Sequence, residues 1–77
     1  MDNQKINSVL VLNPSPQTIQ IISHAGNALG MVEITDVQGR TLIREANISD
    51  STYNYQTSAQ GVYIVRVNGE TQKIIVK

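Results

Sequence analysis

Seventy-seven residues of about 8.5 kDa suffice for one small domain and not for two. Six Lys+Arg offset six Asp+Glu, so the net charge is zero with His24 neutral, which argues against a basic grip on nucleic acid and against a polybasic membrane anchor. Absent cysteine excludes disulfides and thiolate metal sites, no apolar run approaches the ~20 residues of a spanning helix, and no charged segment followed by an apolar one opens the chain as a leader would. Val and Ile together number eighteen against ten Leu, Met and Ala, and six Thr and three Tyr add to the same bias. β-Branched and aromatic side chains suit a pleated, half-buried surface, so helix is expected to be a minor component.

Residues 1–7 (MDNQKIN) are polar and unpatterned, and read as a linker or an expression remnant ahead of a domain spanning 8–77. A short apolar strand is predicted over 8–13 (SVLVLN), stopped by Asn13-Pro14-Ser15-Pro16, where two prolines forbid ladder donation. Residues 18–23 (TIQIIS) alternate, with Ile19 and Ile21 on one face. The segment 24–30 (HAGNALG), with two glycines and an Asn, reads as a turn or loop.

Val32 and Ile34 face one way in the next strand, 31–37, and Glu33 and Thr35 the other. After it, Asp36-Val37-Gln38-Gly39-Arg40 predicts a hairpin leading into a strand over 41–46. There Asp36 can accept from amides ahead of it, and Gly39 can take the positive φ of a bulge-type turn. Residues 47–52 read as loop and 53–57 (YNYQT) as an edge strand, followed by a turn at 58–61. The strongest strand is 61–68 (GVYIVRVN): Arg66 spoils the Val62/Ile64 face, so Tyr63, Val65 and Val67 are assigned inward. Asn68-Gly69 suits a type I′ turn, after which 71–77 (TQKIIVK) returns with Ile74 and Val76 inward and Lys73, Ile75 and Lys77 outward.

About seven short strands at spacings near ten residues predict an all-β fold, a small antiparallel sandwich. Its core is expected to hold Ile19, Ile21, Val32, Ile34, Leu42, Tyr63, Val65, Val67, Ile74 and Val76. Catalytic chemistry finds little material. His24 sits in a Gly/Asn loop with no carboxylate near it, and the acids Asp2, Glu33, Asp36, Glu45, Asp50 and Glu70 are dispersed. No His/Asp/Glu cluster predicts a metal, and Gly26 and Gly30 are too sparse for a phosphate cradle, so neither cofactor nor enzymatic activity is expected. Tyr53 and Tyr55 share a strand face and are expected to pack rather than to stack a sugar ring.

Three segments, in order, resemble a known family. Val9-Leu10-Val11-Leu12-Asn13-Pro14 is similar to the opening "VYPNP" of the C-terminal sorting domain of the type IX (Por) secretion system of Bacteroidetes. The stretch from Val32 to Arg40 is similar to its "hydrophobic-x-D-x-x-G-R/K" hairpin through Asp36, Gly39 and Arg40. Gly61, Tyr63 and Val65, with Lys73-Ile74-Ile75-Val76-Lys77, resemble its "GxYxVxV…KxxxK" finish. Leu12 stands where the family usually has its first proline, and Val11 where an aromatic is usual.

The resemblance implies an immunoglobulin-like sandwich at the C-terminus of a cargo protein, acting as the address read by translocon, shuttle and sortase components. It further implies transit through the periplasm after a separate N-terminal signal. Cleavage of the domain at the cell surface and joining of the cargo to anionic lipopolysaccharide would follow. The sorting-motif residues it carries over are Asn13, Pro14, Asp36, Gly39, Arg40, Gly61, Tyr63, Val65, Lys73, Ile74, Ile75, Val76 and Lys77. A terminal edge strand would offer backbone groups for pairing with a receptor or a second copy, and Lys73 and Lys77 would meet acidic groups. Two other readings compete: an immunoglobulin-like accessory module binding carbohydrate or protein, marked by exposed aromatics, and a plain spacer. Asn47-Ile48-Ser49 and Asp50-Ser51-Thr52 match short glycosylation acceptors, the second of a Bacteroidetes type, but such triplets are frequent by chance and a polar loop is expected.

Overall fold

Alternation decides which side of each strand faces the core, and the computed structural model, which describes residues 9–77, follows it closely. The expected linker, residues 1–7, lies outside the described residues. The strands are β1 (Val9–Leu12), β2 (Thr18–Ser23), β3 (Gly30–Asp36), β4 (Thr41–Ile48), β5 (Thr52–Gln56), β6 (Gly61–Val67) and β7 (Glu70–Val76). A single 3₁₀ turn, His24–Gly26, is the helical element among them. Every pairing is antiparallel, giving a three-stranded sheet β1-β2-β5 and a four-stranded sheet β4-β3-β6-β7. This is an immunoglobulin-like sandwich with one change of partner. In the constant-type arrangement the fourth strand lies beside the fifth, whereas here β4 pairs with β3.

The core lies between the sheets. Ile19 and Ile21 from one sheet meet Val32, Ile34, Tyr63, Val65, Val67 and Val76 from the other, with Ile74, Tyr53 and Tyr55 packed against them half-buried. Arg66 points out and Val65 in, as the interrupted face of β6 requires. The hydroxyl of buried Tyr63 donates to the carbonyl of Ala59 at 2.7 Å. That is the arrangement of a tyrosine corner, in which a strand tyrosine pins the backbone just upstream of its own strand.

Three departures from the expected core and strand bounds have identifiable reasons. Leu42 is 39% exposed rather than in the core. Ile43 pairs with Ile34 and Thr41 with Thr35, so Leu42 is the extra residue of a β-bulge and Ile43 takes the inward place. The loop over 24–30 hides a core residue: Leu29 is 1% exposed, held by its amide donating to the Asp50 carbonyl at 3.0 Å and its carbonyl accepting from Asn68 Nδ2 at 2.5 Å. Finally, β4 runs on to Ile48 through Asn47, which takes φ 60°, so the expected loop shrinks to residues 49–51. The carbonyls of Asp50 and Ser51 accept from the amides of Leu29 and Ser23, which makes this short segment a bridge.

Candidate functional site

The hairpin Asp36–Arg40 is a side-chain-locked turn. The Gly39 amide donates to the Asp36 carbonyl and the Asp36 amide to the Arg40 carbonyl, both at 3.0 Å. Gly39 at φ 88° takes the left-handed position, as expected of a bulge-type turn. Asp36 Oδ1 accepts from the amides of Gln38 at 2.9 Å and Arg40 at 3.0 Å, while Oδ2 accepts from Arg40 Nε at 2.8 Å. The Arg40 amide bond is the main cause that holds the Asp36 carboxyl below its ordinary value, and the ion pair with Arg40 adds to it.

A clasp closes the same end of the molecule. Asn13 Nδ2 donates to the carbonyls of Ser15 at 2.8 Å and Thr18 at 2.7 Å, folding the Pro14–Pro16 turn, while Asn13 Oδ1 accepts from the Lys77 amide at 2.9 Å. Beside it Gln17, at φ 58°, donates its amide to the Lys77 carbonyl at 2.6 Å and accepts from the Thr57 amide at 2.8 Å. Thr57, buried, also gives its hydroxyl to the Ala59 carbonyl at 2.9 Å, next to the Tyr63 hydroxyl on the same acceptor. Nothing in the sequence marks Gln17, since glutamine is not a residue enriched in the left-handed region. The anchoring role of the Tyr63 hydroxyl was likewise invisible beside its apolar periodicity, although a tyrosine opening a late strand is a usable signal.

Register places these pieces together. Asp36 lies opposite Tyr63, and Gly61 opposite Val76, so the turns at 13–17 and 36–40, the start of β6 and the end of β7 all gather at one end of the sandwich. Val9 pairs with Ser23, which sets the start of β1 at the opposite end, with the His24–Gly26 turn and the Asn68-Gly69 hairpin. At that hairpin Asn68 (φ 49°) and Gly69 (φ 87°) form the expected type I′ turn. The Asn68 side chain also accepts from the Met31 amide at 3.3 Å, tying the hairpin to β3.

The residues of the finish divide by face. Tyr63, Val65 and Val76 are core and Ile74 is half-buried, whereas Lys73, Ile75 and Lys77 are exposed. Strand β7 forms an edge of its sheet, yet both backbone groups of Lys77 are engaged by Asn13 and Gln17. The last residue is thus not the open pairing template that its position suggested.

Across the outer side of the four-stranded sheet, Glu33 is covered by its neighbours. Arg66 lies 3.7 Å and Arg44 3.9 Å from its carboxylate, and the Thr41 hydroxyl lies 3.4 Å away. At the far edge the Tyr53 hydroxyl donates to Glu45 Oε1 at 2.8 Å. Burial first, and then that carboxylate, push the Tyr53 phenol up to about 12. Among the described residues no group of His, Asp and Glu could hold a metal ion, and no helix is long and apolar enough to cross a membrane.

The pattern of the secretion system C-terminal sorting domain matches residues 13–77, a span that opens on Asn13 and closes on Lys77, the two ends of the clasp. No curated protein matches the chain. That family is one of sorting signals and not of enzymes, which agrees with a molecule whose most connected polar groups fasten turns. Because the match covers nearly the whole described domain, the chain belongs to the type IX secretion C-terminal sorting domains, signals that send an N-terminally fused cargo to the cell surface or the extracellular space.

Proposed function

We propose that the domain carries its cargo through the periplasm to the outer-membrane translocon as a folded address. A surface sortase then removes it and joins the cargo to anionic lipopolysaccharide. The observation that supports a folded address is the gathering of Asn13, Pro14, Asp36, Gly39, Arg40, Gly61, Tyr63 and Lys77 at one end, away from the start of β1 where cargo would join. In this reading most motif residues act by building the shape: Asp36, Gly39 and Arg40 fix a turn, Tyr63 pins the backbone, and Val65, Ile74 and Val76 fill the core. Lys73, Ile75 and Lys77 remain as side chains that a receptor touches.

The competing accessory-module reading would be favoured by Tyr53 and Tyr55 side by side in solvent with the last strand in mid-sheet. Both tyrosines instead pack half-buried against the core, and β7 is an edge. Fusing residues 8–77 to a periplasmic reporter in a type IX-competent bacterium tests the address. Delivery of the reporter to the surface, with the domain absent from the delivered product, is the expected result. Equal delivery of a reporter without the domain defeats it.

A further inference from the structure

The outer face of the four-stranded sheet concentrates charge that the neutral composition conceals. Arg44, Arg66 and Lys73 share this face with a single described acid, Glu33, which is already shared between the two arginines. The other described acids lie elsewhere: Asp36 in its turn, Glu45 with Tyr53, Asp50 in the β4–β5 bridge and Glu70 at the last hairpin. By contrast, the outer face of the three-stranded sheet presents Thr18, Gln20, Ile22, Thr52 and Asn54, without charge.

Apolar groups accompany the cations. Ile75 is 64% exposed beside its cross-strand partner Val62, and Ile64 sits half-buried opposite Lys73. A dimple of about 50 Å³ between Glu33, Thr35, Ile64 and Arg66 has room for a group the size of a methyl. Along β6 and β7 cation and aliphatic alternate every second residue, Arg66 with Ile64 and Lys73 with Ile75. That step is about 6.6–6.8 Å, also the repeat of side chains on one side of any extended chain.

We propose that this face docks an extended protein segment in which acidic and aliphatic side chains alternate on one side. The inference rests on the address reading, in that the secretion machinery would supply the segment. Docking on the face is favoured over strand addition at the β7 edge because β1 is fastened alongside that edge. Gln72 Nε2 donates to the Val9 carbonyl at 3.1 Å near one end of β7, and the Asn13 and Gln17 bonds to Lys77 hold the other. An added strand would have to break these bonds, whereas the face is already open. A protein is favoured over an anionic membrane because interfacial faces carry aromatic anchors, and all three tyrosines are packed inward.

Titrating the ¹⁵N-labelled domain with a synthetic peptide repeating Glu-Thr-Val-Thr tests the face directly. Amide shifts are expected to concentrate at Ile64, Arg66, Lys73 and Ile75, to shrink with added salt, and to need about tenfold more peptide in Arg66→Glu/Lys73→Glu. Because Arg66→Glu sets a carboxylate beside Glu33, Lys73→Glu alone and Ile75→Ser serve if the double variant does not fold. Shifts scattered over Arg40 and the β1–β2 surface overturn the inference, as does the same pattern from phosphatidylglycerol vesicles with none from the peptide. In the reporter assay, a folded Arg66→Glu/Lys73→Glu fusion held in the periplasm while the parent is delivered supports the face. Normal delivery of that variant overturns the face and leaves the address intact. A parent fusion delivered no better than a reporter without the domain defeats the address, and the peptide titration then decides the face by itself.

Discussion

The Lys77 amide donates to the side-chain carbonyl of Asn13 at 2.9 Å, so the first turn and the end of the last strand are joined across the two sheets. Asn13→Ala removes this bond and the two that Asn13 Nδ2 gives to Ser15 and Thr18. At about 0.5–1.5 kcal/mol for each net bond, the loss is expected to be about 2 kcal/mol, read as a fall in urea midpoint. Asn13→Asp keeps the acceptor for Lys77 but sets a carboxylate against two carbonyls, and should be no more stable than the alanine variant. An unchanged midpoint in Asn13→Ala would mean that the clasp contributes nothing.

Acid should loosen the β3–β4 hairpin. The Asp36 carboxyl is held below its ordinary value first by the Arg40 amide, so the folded protein binds its proton less readily than the unfolded chain does. That contribution is complete above about pH 4, the unfolded value, and is lost as pH falls through the lower folded value. Urea midpoints between about pH 2 and pH 7 should fall at the acid end in the parent and fall less in Asp36→Asn. A parallel decline in both proteins would place the acid sensitivity elsewhere.

At the alkaline end the sign reverses. With the Tyr53 phenol pushed up to about 12, its neutral form is favoured by the fold, and the associated stability is present below the unfolded value of about 10 and lost as pH rises toward 12. Absorbance titration of phenolate should reveal a late step that Tyr53→Phe removes. Glu45→Gln should move that step down without abolishing it, because burial, the larger cause, remains.

Tyr63→Phe leaves the apolar packing and deletes the 2.7 Å bond to the Ala59 carbonyl. A loss of about 1–2 kcal/mol is expected, lowering the thermal midpoint by several degrees in a domain of this size. The same carbonyl still accepts from Thr57, so Tyr63→Phe combined with Thr57→Val should lose more than the sum of the single changes.

Two glycines separate backbone strain from collision. Gly39 (φ 88°) has nothing within 4 Å of where a Cβ would stand, so Gly39→Ala should cost only the left-handed penalty of about 1–2 kcal/mol. Gly30 (φ 79°) would set its Cβ 2.7 Å from Asn68 Oδ1 and displace the side chain that holds Leu29 and Met31. Gly30→Ala should therefore lower the thermal midpoint clearly further than Gly39→Ala. Equal shifts would show that Asn68 moves aside without cost.

Strand positions and facing were legible because alternation is a local property: β2 was placed to the residue, and the turns at Gly39 and Asn68-Gly69 followed from residues suited to positive φ. Leu42 was misplaced because a bulge is created by the pairing of two strands, and β4 read alone, with Leu42 and Ile43 adjacent, does not show which of the two turns inward. Leu29 was missed because a single apolar residue in a polar loop has no period, and its burial depends on Asn68 and Asp50, both distant in sequence. The motif residues were recognisable by order and spacing, but their convergence at one end is a consequence of register, and the charged sheet face appears only when β4, β3, β6 and β7 lie side by side.

A fastening between residues 13 and 77 also links the closing of the fold to the order of synthesis. During synthesis the strands before β7 emerge ahead of residue 77, and contacts as distant along the chain as those of Asn13 and Gln17 with Lys77 form late. The closed end therefore forms only once residue 77 has left the ribosome, when every strand before it has already emerged. A chain stopped at residue 76 would hold all seven strands yet lack both bonds that close this end, so the closure depends on one residue beyond the last strand.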